Sequence, residues 1–212
     1  VIWGWLWLSA RLGLHVMLFG AGVVLLPVIL SGAIHLDGLL DTADALGSHQ
    51  DREKKLEILK DSHVGAFGVI TCAGYLLASY GMAAQLGANP RLLGILCLGY
   101  LVSRACSSAA MMWFPTAKNS GLAHLFADNA QKGAVKAAAV VYLVIGGVGM
   151  LLLSPLVGGI TVLLIGGWFW YFHHMCMKQF GGLTGDLAGY SLCAIELICL
   201  SAAAVGGTLC AW

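Results

Sequence analysis

The stretch LGLHVMLFGAGVVLLPVILSGAIHLDGLLDTADALGS, residues 12–48, joins a long apolar run to an acidic segment. Residues 12–34 contain no Asp, Glu, Lys or Arg, and a helix of about 20 such residues crosses a bilayer core. Asp37, Asp41 and Asp44 follow directly. A carboxylate near hydrocarbon costs about 2.5–3.5 kcal/mol on insertion scales, so such a group needs a partner or a function. The stretch therefore predicts a membrane helix that leads into a functional acidic segment.

The composition of the whole chain agrees with a membrane protein. Of its 212 residues, 59% are hydrophobic and 10% are charged, and the mean hydropathy is +0.87. Such values lie far from those of a soluble domain. A formal net charge of +1 gives no field that would attract nucleic acid. We expect one membrane-embedded domain over residues 1–212, surrounded by lipid and without a nucleic-acid partner.

Apolar runs of the length of a bilayer core predict an all-α, polytopic helical bundle of about six to seven spans. Residues 1–10 are interpreted as the end of a seventh span. Short and long connections alternate, so the long ones, 45–63, 114–134 and 175–186, fall on one side. The six full spans are predicted at 12–34, 64–88, 92–113, 135–153, 156–174 and 187–211.

The basic residues indicate which side that is. Eight Lys and Arg lie in or beside the long loops, whereas Arg11 and Arg91 lie opposite. Since Lys and Arg are retained in cytoplasmic loops, the long loops are predicted to face the cytoplasm. The remaining basic residue, Arg104, lies within a span and should have an anionic partner.

The acidic segment is predicted to form one stripe on a helix. At 100° per residue, Asp37, Asp41 and Asp44 lie within about 60° of one another. Three like charges on one stripe repel, so either some are protonated or a cation lies between them. Oxygen ligands suit a hard divalent ion such as Mg²⁺. The alternative is a solvated acidic turn at the end of a helix.

Two further segments carry acids toward the same membrane face. Glu57 and Asp61 are spaced i, i+4, although Glu and Lys at helical spacing also form ordinary solvated surfaces. The turn GGLTGD, residues 181–186, brings glycines to the start of a helix at Asp186, and the free N–H groups there favour phosphate. His35 lies about 200° from Asp37 on an ideal helix, so we expect it to orient a partner by hydrogen bonding and not to bind the metal.

Five segments between about Ser31 and Glu196 occur in a characteristic order: HLDGLLDTADAL, LEILKDSHVGAFGVI, SRACSSAAMM, AKNSGLAHLF and GGLTGDLAG. In these segments the chain resembles the cobalamin synthase family, the adenosylcobinamide-GDP ribazoletransferases. The resemblance implies a Mg²⁺-dependent enzyme of the cytoplasmic (inner) membrane, with its active site facing the cytoplasm. The enzyme would join adenosylcobinamide-GDP to α-ribazole or its 5′-phosphate and release GMP. The chain departs from the family in two ways: the usual N-terminal segment is absent, and Tyr190 stands where a small residue is common.

The residues and the resemblance together give expected roles. Asp44 is the first candidate for the base that activates the attacking hydroxyl, Asp61 is the second, and His35 is an orienting residue. The ligands expected for Mg²⁺ are Asp37, Asp41, Asp44, Glu57, Asp61 and Asp186. The residues expected to bind phosphate or substrate are Lys60, Arg104, Lys118, Gly182, Thr184 and Gly185.

A transporter driven by divalent cations or protons is the alternative, because acids within a membrane also mark ion paths. Such transporters more often show inverted repeats. The sequence shows no such symmetry, and its acids cluster at one face. The sequence leaves open whether the protein forms a homo-oligomer.

Overall fold

The computed structural model describes residues 1–86, 89–117 and 132–209, with the backbone alone at 132, 208 and 209. The described residues are helical and contain no strand, only an isolated bridge between Thr116 and Leu183. The predicted all-α class is confirmed. The helices are α1 (Ile2–Leu12), α2 (Val16–Leu30), α3 (Ile34–Gly47), α4 (Arg52–Ile58), α5 (Ala66–Leu86), α6 (Pro90–Trp113), α7 (Lys132–Leu153), α8 (Pro155–Met175) with a π-helical turn at Cys176–Phe180, and α9 (Gly185–Leu209).

Five helices, α5 to α9, are long and apolar enough to cross a membrane. Their outer faces are apolar as well: Leu77, Leu152 and Leu163 are each more than 70% exposed. Such faces need lipid around them, since a soluble domain would bury them. The expectation of a multi-pass membrane protein is confirmed.

The predicted continuous span over 12–34 is wrong. Helix α1 ends at Leu12, and α2 covers only Val16–Leu30 before α3 leaves at an angle of 91°. Two consecutive residues, Gly32 and Ala33, have left-handed φ values of 62° and 61°, which a right-handed helix cannot continue through. The pair α2 and α3 is thus at most one broken span. The 11 residues of α1 are about 16 Å long, and the interpretation of residues 1–10 as the end of a seventh span stays a prediction.

The short connections between the spans are made by capping residues. Asn89, which precedes Pro90, accepts hydrogen bonds from the N–H groups of Arg91 and Leu92. Ser154, which precedes Pro155, accepts one from the N–H group of Val157. Pro at the first helical position costs no hydrogen bond, because that N–H has no partner within the helix. The expected tight turn at Ser154–Pro155 is confirmed.

The described parts of the long connections meet at one end of the bundle, the loop end. Leu183 donates its N–H to Pro115 O at 2.8 Å and accepts that of Ala117 at 3.0 Å. Helix α4 packs on the π-helical turn through Leu56 and Leu59, which share a buried cluster with Phe180. For the described parts of the long loops, this arrangement confirms the expectation that they lie on one side.

Candidate active site

Helix α3 crosses the start of α9 at very short range. A Cβ atom on Gly38 would lie 2.6 Å from the backbone oxygen of Asp186, so only glycine fits there without a shift. One turn further along α9, Gly189 lies against the backbone of His35 and Gly38. Small residues let membrane helices approach closely. The crossing therefore places Asp37 and Asp41 of α3 beside Asp186.

These carboxylates share an unfavourable electrostatic environment. Helix α3 lies outside the five spans, and burial raises the pKa of Asp41 to about 6, with further contributions from Asp37, Asp186 and Asp44 in that order. None of the ion pairs in the described part of the chain includes Asp37, Asp41 or Asp186. A cation from solution would relieve the repulsion.

The described side chains form no metal cage by themselves. Across residues 1–86, 89–117 and 133–207, no three His, Cys, Asp or Glu side chains lie close enough to hold a metal ion. The residues nevertheless fit Mg²⁺, which is usually bound by one or two carboxylates together with waters and substrate phosphates. Asp37 is exposed and Asp41 partly buried, so both remain accessible to such a complex.

Asp44 caps the start of α5. Its two carboxylate oxygens accept the N–H groups of Gly65 at 2.7 Å and Gly68 at 2.8 Å, and a Cβ on either glycine would collide with the carboxylate. Each oxygen keeps a further lone pair. The capping role was not expected from the sequence, and the role of Asp44 as base or ligand stays a prediction.

The acids of the α4 segment have other partners. Glu57 pairs with Lys54 at 2.8 Å on an exposed surface. Asp61 Oδ1 accepts the backbone N–H of His63 and is hydrogen-bonded to its ring Nδ1, and these two hydrogen bonds hold the pKa of Asp61 below its ordinary value. The structure groups neither acid with Asp37 and Asp41. Their metal and base roles stay predictions. Lys60 is exposed beside them, and Lys118 lies outside the described residues.

The glycine-rich turn is held from several sides. Gly182 donates its N–H to Cys176 O, and Thr184 Oγ1 caps α9 by accepting the N–H of Leu187 at 3.2 Å. The first turn of a helix leaves its N–H groups without partners inside the helix, and here these belong to Gly185 and Asp186. Gly185 is exposed, with open space where a Cβ would be. The turn thus offers rigid donors beside the carboxylates.

Two contacts of this turn were not predicted from the sequence. A Cβ on Gly181 would collide with the guanidinium of Arg52. Lys55, only 7% exposed, donates to Gln179 Oε1 at 2.6 Å. Both basic residues come from the short helix α4, whose run of charges is typical of a solvated surface, so no local signal distinguished them.

Arg104 has the anionic partner that was expected. It forms an ion pair with Glu196 of α9 and also donates to Tyr100 O at 3.2 Å and Ser103 Oγ at 3.0 Å. The side chain of Glu196 is 11% exposed and that of Arg104 is 43% exposed. His35 lines a cavity with Arg104, and its backbone oxygen accepts the thiol of Cys193. The expected phosphate-binding role of Arg104 stays a prediction.

Comparisons with known proteins show the family of the chain. The family model described as cobalamin-5-phosphate synthase matches residues 1–204. The chain belongs to this family. Among curated relatives, a protein of Lachnoclostridium phytofermentans is 42% identical over 205 residues, 93% of this chain and 77% of the relative.

Two further curated relatives are similar to this chain over most of its length. Relatives from Mesorhizobium japonicum and Pseudomonas putida are 33% and 35% identical and cover 93% and 95% of this chain, and 74% and 81% of their own lengths. All three are named adenosylcobinamide-GDP ribazoletransferase. No solved structure matches the chain. The family and the transferase class predicted from the sequence are confirmed.

Proposed function

We propose that this chain is a Mg²⁺-dependent adenosylcobinamide-GDP ribazoletransferase. It joins adenosylcobinamide-GDP to α-ribazole or its 5′-phosphate and releases GMP. The relatives' name, adenosylcobinamide-GDP ribazoletransferase, supports the donor and a ribazole-type acceptor. The observation that carries the proposal is the crossing at Gly38, which places Asp37 and Asp41 of α3 beside Asp186 and the start of α9.

The chemistry needs little more than positioning and charge neutralisation. A ribose hydroxyl attacks the phosphorus on the cobinamide side of the pyrophosphate, the P–O bond to GMP breaks, and the hydroxyl proton passes to a base. Bound Mg²⁺ neutralises charge on the phosphate oxygens. Asp37 and Asp41 would hold it, and Asp186 would add to the negative electrostatic potential at their carboxylates.

The remaining groups orient the substrates. The N–H groups at Gly185 and Asp186 are suited to donate to a phosphate oxygen at the N-terminus of α9. Thr184 fixes that terminus by its cap, and Gly182 fixes the turn before it. Asp44 remains our first candidate for the base and Asp61 the second. The low pKa of Asp61 makes it the weaker acceptor of a proton at neutral pH.

The loop end is proposed to face the cytoplasm of the inner membrane. The support is the excess of Lys and Arg in and beside the long loops of the sequence, eight against two on the other side. The single domain over residues 1–212 stays a prediction.

The test is a GMP-release assay on the full chain in detergent, with adenosylcobinamide-GDP and α-ribazole, with and without Mg²⁺. We expect turnover only with a divalent cation. Asp37→Asn and Asp41→Asn should each lower kcat/KM by about 10²-fold or more, since each removes a charge on the metal. Asp51→Asn is the matched control: Asp51 is exposed and caps α4, and Asn caps equally well.

Two results would contradict the proposal. One is full activity in EDTA. The other is activity of both Asn variants within about threefold of the parent, less than ~1 kcal/mol of transition-state stabilisation. Mg²⁺ uptake into proteoliposomes without GMP release would favour the transporter instead.

A further inference from the structure

A cavity whose wall carries a few polar side chains opens among α1, α2, α3 and α6, and neither Asp37, Asp41 nor Asp186 lines it. Its outer chamber, of about 520 Å³, lies between α1, α2, α3 and α6 and includes Trp3 and Leu30 in its wall. Its inner chamber reaches Tyr75 and Glu196. We call the two chambers the α1–α6 cleft. The residues that line both chambers are Pro27, Ser31, His35, Tyr100 and Arg104.

The charge of the α1–α6 cleft is already balanced. Among the Asp, Glu, Lys and Arg side chains of the described residues, only Arg104 and Glu196 line it, and they pair with each other. A bound anion would have to compete with Glu196 or lie beside it, at the cost of a carboxylate buried without its partner. The cleft is therefore suited to an uncharged ligand that hydrogen bonds.

The backbone at the α1–α6 cleft is irregular. Helix α2 ends at Leu30, and Ala33 takes a φ of 61° although it is not glycine. A left-handed alanine costs on the order of 1 kcal/mol, and such strain clusters at functional sites. Irregular backbone at membrane depth is tolerated where it lines a cavity. The break between α2 and α3 is a second observation, separate from the ion pair. It lies at the same cleft, since Ser31 and His35 flank the break and line the cleft.

We propose that the α1–α6 cleft binds the heteroaromatic nucleoside portion of the acceptor, which rests on the proposed function. Trp3 and Tyr100 offer aromatic surfaces for a planar base, while Ser31, His35 and Arg104 offer hydrogen bonds to ribose hydroxyls. A volume of about 520 Å³ is within the usual range for small-molecule sites. The axial distance from His35 to Asp37 along α3 is about 3 Å, and the two side chains lie about 200° apart. The cleft and the carboxylates thus flank the same turn of α3.

A substitution that fills the α1–α6 cleft tests this directly. Ser31→Phe should raise KM for α-ribazole at least tenfold, while KM for adenosylcobinamide-GDP stays within twofold. Ile29→Phe is the matched control, because Ile29 is 69% exposed, lies two residues away and does not line the cleft. Its kinetics should equal those of the parent. An unchanged acceptor KM in Ser31→Phe, at a melting temperature equal to that of the parent, would overturn the proposal.

Binding measured without the donor separates this inference from the proposed function. Calorimetry with α-ribazole, and in parallel with its 5′-phosphate, should show binding to the parent and to Ile29→Phe but at least tenfold weaker binding to Ser31→Phe. If binding follows this pattern while no GMP is released, the result supports binding of the acceptor in the α1–α6 cleft and refutes the proposed reaction. If GMP is released but Ser31→Phe binds α-ribazole as tightly as the parent, the result supports the proposed reaction and refutes binding of the acceptor in the α1–α6 cleft.

The ion pair provides a second, independent variant. Glu196→Gln leaves Arg104 without a carboxylate, so the α1–α6 cleft gains one positive charge. The preference for α-ribazole 5′-phosphate over α-ribazole should then rise about tenfold or more. A preference that stays within twofold of the parent, in a variant that still binds α-ribazole, would contradict the argument from charge balance.

Discussion

The crossing at Gly38 gives the most direct test of how the fold builds the candidate site. In Gly38→Ala, the new Cβ would lie 2.6 Å from Asp186 O and 3.2 Å from its Cα, and both contacts are backbone. No side chain can rotate away, so α3 and α9 must separate until an ordinary distance of at least 3.4 Å is restored. The required movement is up to about 0.8 Å.

A shift of this size should affect activity more than stability. Overpacking of this kind costs about 1–3 kcal/mol, whereas a displacement near 1 Å between catalytic groups can cost about 10²-fold in rate. We therefore expect Gly38→Ala to lose at least 30-fold in kcat/KM in the GMP-release assay, together with a modest fall in melting temperature in detergent.

Gly74→Ala is the control for Gly38→Ala. Gly74 lies within the membrane helix α5, and nothing lies within 4 Å of the position of its Cβ. Its replacement should leave kinetics unchanged and stabilise the helix by up to about 1 kcal/mol. If Gly38→Ala retained activity within threefold of the parent, the close crossing would not position the reacting groups, and the reasoning would be refuted.

Three further predictions concern the acids and the orientation of the chain. Because the pKa of Asp41 rises from 3.8 to about 6 on folding, the protein without divalent cation should lose stability as pH rises from about 4 to 7, by on the order of 1 kcal/mol after solvent screening. Thermal unfolding in EDTA should show this loss, and Asp41→Asn should make the melting temperature less dependent on pH. Mg²⁺ should stabilise the parent more at pH 7 than at pH 5. An effect of Mg²⁺ that does not change with pH would contradict the role of Asp41 as a ligand. Asp44→Ala removes the acceptor for two N–H groups of α5 and should cost about 1–3 kcal/mol in thermal unfolding, with Asp44→Asn recovering part of it; equal stability of Ala, Asn and parent would exclude the cap. Cysteines placed at the exposed positions Lys60 and Lys178 should both react with an impermeant maleimide from the cytoplasmic face; opposite labelling of the two would disprove the common loop end.

The local pattern predicted the helices wherever it was long and uniform. The spans over α5 to α8 and the acidic helix α3 follow from apolar length and 100° spacing. The break at Gly32–Ala33 did not, because a single glycine in an apolar run is common in membrane helices. Alanine carries no signal for a left-handed φ, so that turn depends on how α2 and α3 pack against their neighbours.

The sequence by itself determined the class of the protein and the need of Arg104 for a partner, since these depend on composition and the cost of a lone charge in lipid. Tertiary structure alone decided which groups meet. Glu196 became the partner of Arg104 and Asp44 became a cap for α5. Gly38 brought α3 onto Asp186. These contacts join residues that are distant in the chain, and their distances depend on the packing of whole helices, which local periodicity does not encode.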